Sequence, residues 1–378
     1  MRKSCESSKF PKLGDIICFG NFEDSFPKQL NMSYLKQRSL VRTSRRKHWL
    51  QQWRALPQLQ NALRSRGGKF ALRGGVCAAF LLGYMCLMEP YWLRIRTITL
   101  NTPEVPAAFE GTRIAFIADI YYGAYFSGKR LQQLVATVNG LQPDIVIFGG
   151  DYFQWNQTYI APCFAELQRI HAPLGKFGVL GNHDDWRDGA ALTRQGMQTA
   201  EITVLDNQAV WIVKNGQRIK IGGVGDLLTN VQNLTPTIAD VAETDFVILV
   251  SHNPEYAEQL HTRKLDVMLS GHTHGGQINF FGRWAPFLKL RTGQKYVRGM
   301  VDTAYTKVII SNGVGMVAVP ARFCARPEII LVTLTKRNHP LPPLRKRGET
   351  SPLPFRGGVG GGVRNRSYLF SGPIFLMI

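Results

Sequence analysis

The chain has 378 residues, 44% of them hydrophobic, which is enough to bury a sizeable core. Its formal net charge of +20 is carried by the ends: residues 1–98 hold +13, residues 99–335 hold 0 and residues 336–378 hold +7. A balanced middle makes nucleic acid an unexpected partner, and six cysteines with no Cys-x-x-Cys pair set aside a thiolate zinc site and a dense disulfide framework.

Residues 1–35 show no periodicity and are expected to be disordered, with Met32 as an alternative start. A basic segment, 36–73, follows. It holds eleven Lys and Arg between Lys36 and Arg73, whereas only Arg94 and Arg96 follow closely after the next segment. That segment opens with fifteen residues without a charge, Gly74 to Met88, then Glu89-Pro90-Tyr91-Trp92. Fifteen is short of the roughly 20 that span a bilayer. Tyr91 and Trp92 nevertheless suit an interface, and Glu89 is expected to snorkel toward it. Residues 74–93 therefore read as an uncleaved membrane anchor, with a helix lying on the membrane or buried in the fold as the alternative. The basic flank places the N-terminus in the cytoplasm and the rest on the exoplasmic side of the cell membrane. Ser44-Arg45-Arg46 is not read as a twin-arginine signal, because the apolar core starts nearly thirty residues later.

From 97 to 335 short apolar runs alternate with amphipathic stretches. Strands are predicted at 113–117, 144–148, 177–180, 246–250, 267–269, 307–310 and 328–332. One helix face is marked by Leu131, Leu134, Val135 and Val138. Between Thr203 and Val224 strands follow one another without helices, so that part of the sheet is expected to be antiparallel. The pattern is that of an α/β domain with mixed sheets and outer helices. Residues 336–378 are rich in Pro, Gly and basic residues and are expected to be disordered.

The chemistry gathers at strand ends. Asp119 ends the first central strand, Asp151 the second, Asn182-His183-Asp184 the third, His252 the fourth, and His272-Thr273-His274 the fifth. Ligands of open α/β sheets bind outside the carboxyl ends of strands. Mixed oxygen and nitrogen donors there suit a pair of divalent transition metals. Taken singly, each residue has an ordinary reading as a cap, a turn residue or a satisfied histidine; their recurrence at five successive strand ends favours the metal site.

Gly150-Asp151, Gly181-Asn182-His183-Asp184 and Gly271-His272-Thr273-His274 resemble the signature blocks of the calcineurin-like metallophosphoesterase superfamily. The closing stretch, Asn312 to Met316 and Ala325-Arg326-Pro327-Glu328, is similar to its membrane-anchored bacterial branch. The resemblance runs from Glu89 to about Leu334. It implies a four-layer αββα sandwich, preceded here by one N-terminal membrane helix. It implies two metal ions, of manganese, iron or zinc, and hydrolysis of a phosphodiester or pyrophosphate bond by metal-activated hydroxide. Carried over, Asp151 bridges both metals, Asn182, His252 and His272 complete one, and Asp119 and His274 hold the other. His183 becomes the acid for the leaving oxygen, oriented by Asp184 or Asp185. Gln277 and Asp226 are candidates for supporting roles, with ordinary loop roles as the alternative.

The family has Asp-x-His in the first block, and this chain has Asp119-Ile120-Tyr121. Tyr121 is either a phenolate ligand, which favours a hard ion such as ferric iron, or it turns away and leaves a weakly held metal, with water or Tyr122 in its place. Expected partners are the lipid bilayer and a phosphoester substrate, lipid-linked in some branch members. UDP-2,3-diacylglucosamine of lipid A synthesis is one such substrate, although its cytoplasmic leaflet conflicts with the charge asymmetry. A non-catalytic binding protein on the same scaffold is the other alternative.

Overall fold

The computed structural model describes residues 61, 65–186 and 189–336. The readings of 1–35, of Met32, of Ser44-Arg45-Arg46 and of the tail beyond 336 lie outside these residues. The chain divides into two units after Tyr84.

In the first unit, helix α1 runs Arg66–Gly83, and the Ser65 hydroxyl caps it by accepting from the Gly68 amide at 2.9 Å. The helical stretch Arg66–Tyr91 is 26 residues long with a mean hydropathy of 1.7, long and apolar enough to cross a membrane. It starts eight residues ahead of the expected anchor at 74, because Gly67, Gly68 and the residues after them continue the helix.

The second unit opens with Met85. Among its described residues the strands are β1 Arg94–Thr102, β2 Arg113–Ile117, β3 Ile145–Phe148, β4 Lys176–Gly178, β5 Ile202–Val204, β6 Ala209–Lys214, β7 Gln217–Gly223, β8 Val247–Val250, β9 Val267–Ser270, β10 Gly299–Asp302, β11 Lys307–Ile310 and β12 Glu328–Lys336. They form two six-stranded sheets, ordered β1-β12-β2-β3-β4-β5 and β10-β11-β9-β8-β7-β6. Both are mixed: β12 runs antiparallel to β2 and parallel to β1, and β10 is antiparallel to β11.

Alternation along the strands explains the layering. Ile114 and Phe116 of β2 and Ile145 and Ile147 of β3 pack against Ile221, Ile248, Val250 and Leu269 of the other sheet. Their neighbours Ala115, Ile117, Val146 and Phe148 face the opposite way. They meet helices α2 Gly128–Gly140, α3 Ile160–Leu167 and α4 Gly189–Thr199, with Leu131, Leu134, Val135 and Val138 of α2 turned inward as the spacing predicts. The outer face of the second sheet has a thinner cover. It consists of the four-residue helix α5 Thr235–Ile238, the 3-10 turn Pro254–Gln259 and loops packed on Val247, Leu249, Met268 and Val308.

Two expectations need correction. The antiparallel pairing between 203 and 224 is confined to β6 and β7, joined at Asn215-Gly216 with both φ positive (50° and 73°), the turn geometry that matches strand twist. β5 instead joins the first sheet, parallel to β4. Glu89 does not snorkel: it is buried, and its carboxylate accepts from the amides of Cys324 and Ala325 at 3.0 and 2.7 Å.

Asp266, just ahead of β9, accepts from the Val247 amide at 2.7 Å. Burial pushes its carboxyl up to about 7, opposed by that amide. Between the unfolded value of about 4 and the folded value the native chain holds a proton that the unfolded chain lacks, so this group's contribution falls as pH rises through that window. Asp266→Asn should therefore gain stability over the parent at pH 8 relative to pH 5, read as the urea midpoint of the full chain in detergent. An identical difference at both pH values would contradict this assignment.

Candidate metal centre

The loops after β2, β3, β4, β8 and β9 converge at one end of the sandwich. Asp119, Tyr121, Asp151, His272 and His274 all have positive φ, between 49° and 69°. Such conformations are costly for residues with a Cβ and persist where the surroundings enforce them. Two glycines let the loops close together. A Cβ on Gly181 would lie 2.2 Å from Asp151 Oδ1, and one on Gly271 would lie 2.5 Å from Asp119 Oδ2.

Five of the expected ligands lie together. Asp119, Asp151 and His252 are buried and offer ligand atoms all within 4.8 Å of one another. His252 Nε2 lies 3.3 Å from Asp151 Oδ2 and 3.3 Å from His272 Nδ1, and His274 Nε2 lies 3.7 Å from Asp119 Oδ1. His252 Nδ1 donates to the Gly149 carbonyl at 2.6 Å, which fixes the ring and turns Nε2 into the site. Asn182 Oδ1, His183 Nδ1 and His274 Nε2 are buried with no hydrogen-bond partner. Unpaired amide and imidazole atoms beside buried carboxylates fit a divalent cation.

A calcineurin-like phosphoesterase family pattern matches residues 112–276. Over 273 residues the chain is 31% identical to the uncharacterized metallophosphoesterase YkuE of Bacillus subtilis, covering 70% of this chain and 93% of YkuE. An uncharacterized metallophosphoesterase of Aquifex aeolicus is 31% identical, with 68% and 97% covered. The phosphodiesterase YaeI of Escherichia coli is 29% identical, with 67% and 92% covered. The chain belongs to the calcineurin-like phosphoesterase family. It is a metallophosphoesterase, a phosphoester hydrolase.

The ring of this metallophosphoesterase's Tyr121 does not turn away. Its hydroxyl donates to Asp151 Oδ2 at 2.5 Å, and its ring lies 5.1 Å from that of His274 and 5.2 Å from that of His183. Tyr122 packs on Tyr159 and does not replace it. Burial, with the Asp151 and Asp119 carboxylates, holds the phenol well above its ordinary value.

Neither acid expected to orient His183 does so. Asp184 accepts instead from three backbone amides, those of Gly181 and Asp151 at 2.8 Å and of Tyr152 at 2.9 Å. Asp185 accepts from the Asn230 amide group. Asp184 thus ties the third strand-end loop to the second, while His183 rests on Trp186, ring centroids 4.5 Å apart. Asp226 accepts from Leu228 and Thr229 amides, and Gln277 holds the loop at Val317 and Val319, so both serve their loops.

Burial sets the electrostatics. It pushes Asp119 up to about 7, opposed by His252. It works the same way on Asp151, but the facing His252 prevails and holds that carboxyl below the usual range. Burial lowers His272 to about 3, with His252 adding to it, and lowers His274 well below its ordinary value, with Arg322 adding. Neutral imidazole is the form that binds metal.

Arg322 was not foreseen. A single arginine between apolar residues gives no sign in sequence that it is fully buried. Its guanidinium donates to the carbonyls of Asn312, Gly315 and Ala325 and reaches His274 Nδ1 at 3.5 Å. Beside the histidines lies a largely apolar cavity of about 390 Å³, walled by Ile278, Phe287, Leu288, Val317 and Val319, with His272 and His274 on its lining.

Asp184→Ala strands three buried amides. At about 1–3 kcal/mol for each unsatisfied donor, the metal-free variant should unfold at least about 3 kcal/mol more easily, measured by urea denaturation. A loss under about 1 kcal/mol would show that water replaces the carboxylate.

Proposed function

We propose that this metallophosphoesterase hydrolyses the phosphodiester or pyrophosphate bond of a lipid-linked substrate, from a domain tethered to the cell membrane and facing its exoplasmic side. The observation that carries the chemistry is the buried cluster of Asp119, Asp151 and His252, whose ligand atoms lie within 4.8 Å of one another, with His272 and His274 beside it. YaeI being called a phosphodiesterase supports a diester. The apolar cavity beside His272 and His274 supports an apolar moiety on the substrate. The asymmetry of Lys and Arg around the apolar helix supports the orientation.

Asp151 would bridge two ions, with Asn182, His252 and His272 completing one site and Asp119, Tyr121 and His274 the other. A bound pair of manganese, iron or zinc ions supplies hydroxide at neutral pH and neutralises charge on the phosphoryl oxygens. The chain's own groups do the rest. The Gly149 carbonyl keeps His252 Nε2 aimed at the site. The His183 amide holds Asp151 Oδ1 at 2.9 Å, so the same residue positions the bridging carboxylate and presents its ring beside it. Burial favours neutral His183 in the free protein. An anionic phosphoester beside it favours the protonated form, from which His183 passes a proton to the leaving oxygen.

Asp151→Asn and His272→Ala should each lower hydrolysis of bis-p-nitrophenyl phosphate by about 10²-fold or more, since even groups that only support a ligand cost 10–100-fold. Metal content should fall with the rate, while circular dichroism stays unchanged. Parental rates in either variant would overturn the site.

Replacing the phenol with an imidazole restores the donor that the family carries in this position. Tyr121→His should raise metal content per chain, measured by elemental analysis, and with it the rate. Unchanged content and rate would remove Tyr121 from the ligand set.

A further inference from the structure

The loop that walls the cavity beside the metal centre is unusual for a surface exposed to water. Phe281, Phe287 and Trp284 are 85%, 75% and 58% exposed and lie within seven residues. The loop is held in shape. The amide of Phe280 donates to the Trp284 carbonyl at 2.7 Å, and Phe281 and Gly282 take positive φ (55° and 71°) at the turn. An apolar patch held out rigidly into solvent marks an interaction site.

Two further observations say what it meets. The first is charge. From Val267 to Val301 the sequence has no Asp or Glu but carries Arg283, Lys289, Arg291, Lys295 and Arg298, inside a segment whose net charge is zero. Arg283, Lys289 and Arg291 are exposed. The acids that face this stretch from the neighbouring turn are already engaged: Glu258 with Lys295 and the Tyr296 hydroxyl, and Glu255 with Thr292. Exposed aromatics interleaved with cations and free of acids match an anionic lipid surface.

The second is position. The Phe280 ring packs on Phe323 at 5.7 Å, and the Phe323 amide and carbonyl bond to Gln277 and Asn279. The next residue back, Arg322, donates its amide to the Met85 carbonyl, and the amides of Cys324 and Ala325 donate to Glu89. Met85 to Glu89 is where the chain enters the domain directly from the apolar stretch. Leu87, Met88, Tyr91 and Trp92 there are exposed as well, and Arg326 stacks on Trp92 at 4.0 Å. The aromatic loop is thus stitched, through one short segment, to the domain's point of entry.

We propose that the domain face carrying Phe281, Trp284 and Phe287 docks onto an anionic bilayer, so that the apolar cavity beside His272 and His274 opens at the lipid surface. A lipid-borne phosphoester then reaches the site without leaving the membrane: its apolar part enters between Phe287 and Val319 while its phosphate meets the histidines. This deepens the lipid-linked reading of the substrate, but the docking itself is independent of which bond is cut.

A benzophenone-bearing phenylalanine in place of Phe281, in the full chain reconstituted into phosphatidylglycerol–phosphatidylcholine vesicles, tests it. The same probe replacing Val213, exposed on β6 at the far edge of the second sheet, is the control. Irradiation should give severalfold more lipid adduct at 281 than at 213, and the yield at 281 should drop severalfold in vesicles of phosphatidylcholine alone. Equal yields at both positions, no lipid adduct at 281, or adducts at 281 to a second copy of the chain would each overturn the docking. Hydrolysis of bis-p-nitrophenyl phosphate by the same samples is read separately. Lipid adducts without hydrolysis would uphold docking and sink the catalytic reading, and hydrolysis without lipid adducts would do the reverse.

Discussion

The carboxylates of Asp119 and Asp151 are both wholly removed from water, and the two face each other's neighbourhood across a few ångströms. Charges buried in this way are tolerated only when paired or when they bind metal. Here the groups set against them are imidazoles that burial keeps neutral at His272 and His274, together with the His252 ring held by Asp151 itself. The backbone is also bent into left-handed conformations at five of the site residues. Both costs fall on the same loops, and a bound divalent metal would answer the first of them. Much of the surrounding architecture serves to hold these loops in place: Asp184 joining three amides, Gly181 and Gly271 allowing close approach, and Arg322 gathering carbonyls behind His274.

That arrangement was legible in the sequence to the extent that it follows from periodicity. β2, β3, β8, β9 and β11 are short apolar runs with a polar residue within three positions of each end, so the strand-end cluster could be read without knowing the sheet order. Edge strands were less visible. β1, Arg94–Thr102, mixes two arginines and three threonines with its apolar residues, and β10 has only four residues, Gly299–Asp302, half of them exposed. Helices α3 and α4 carry no strong cap or charge pattern to announce them.

Side-chain roles were harder to read than positions. Asp184 follows His183 directly, and that adjacency suggests an orienting acid. Whether a carboxylate meets an imidazole or three amides depends on how two loops approach, which local sequence does not encode. Glu89 illustrates the same limit over a longer range: its partners, Cys324 and Ala325, lie more than two hundred residues away. A glutamate next to an apolar run reads as interfacial when its partner is unknown. Tyr121 was visible as a departure, yet its hydrogen bond to Asp151 arises only because Asp119 and Tyr121 both adopt positive φ and turn the ring inward.

The strand order of the first sheet bears on how the protein is made. β12 lies between β1 and β2, parallel to one and antiparallel to the other. β1, whose ladder partner in the sheet is β12, therefore waits with its edge open until the ribosome has delivered residue 336, more than two hundred residues later. Pairings of such sequence separation form slowly, and open strand edges invite aggregation in the interval. The neighbours of β1 share the delay, since Glu89 and Met85 are fixed by residues 322–325 just upstream of β12. The site loops, the last of which ends at His274, are all made before β12, which then has to enter the sheet between β1 and β2. A chain released before residue 328 would carry every site residue on a first sheet whose β1 and β2 have lost the strand that joins them.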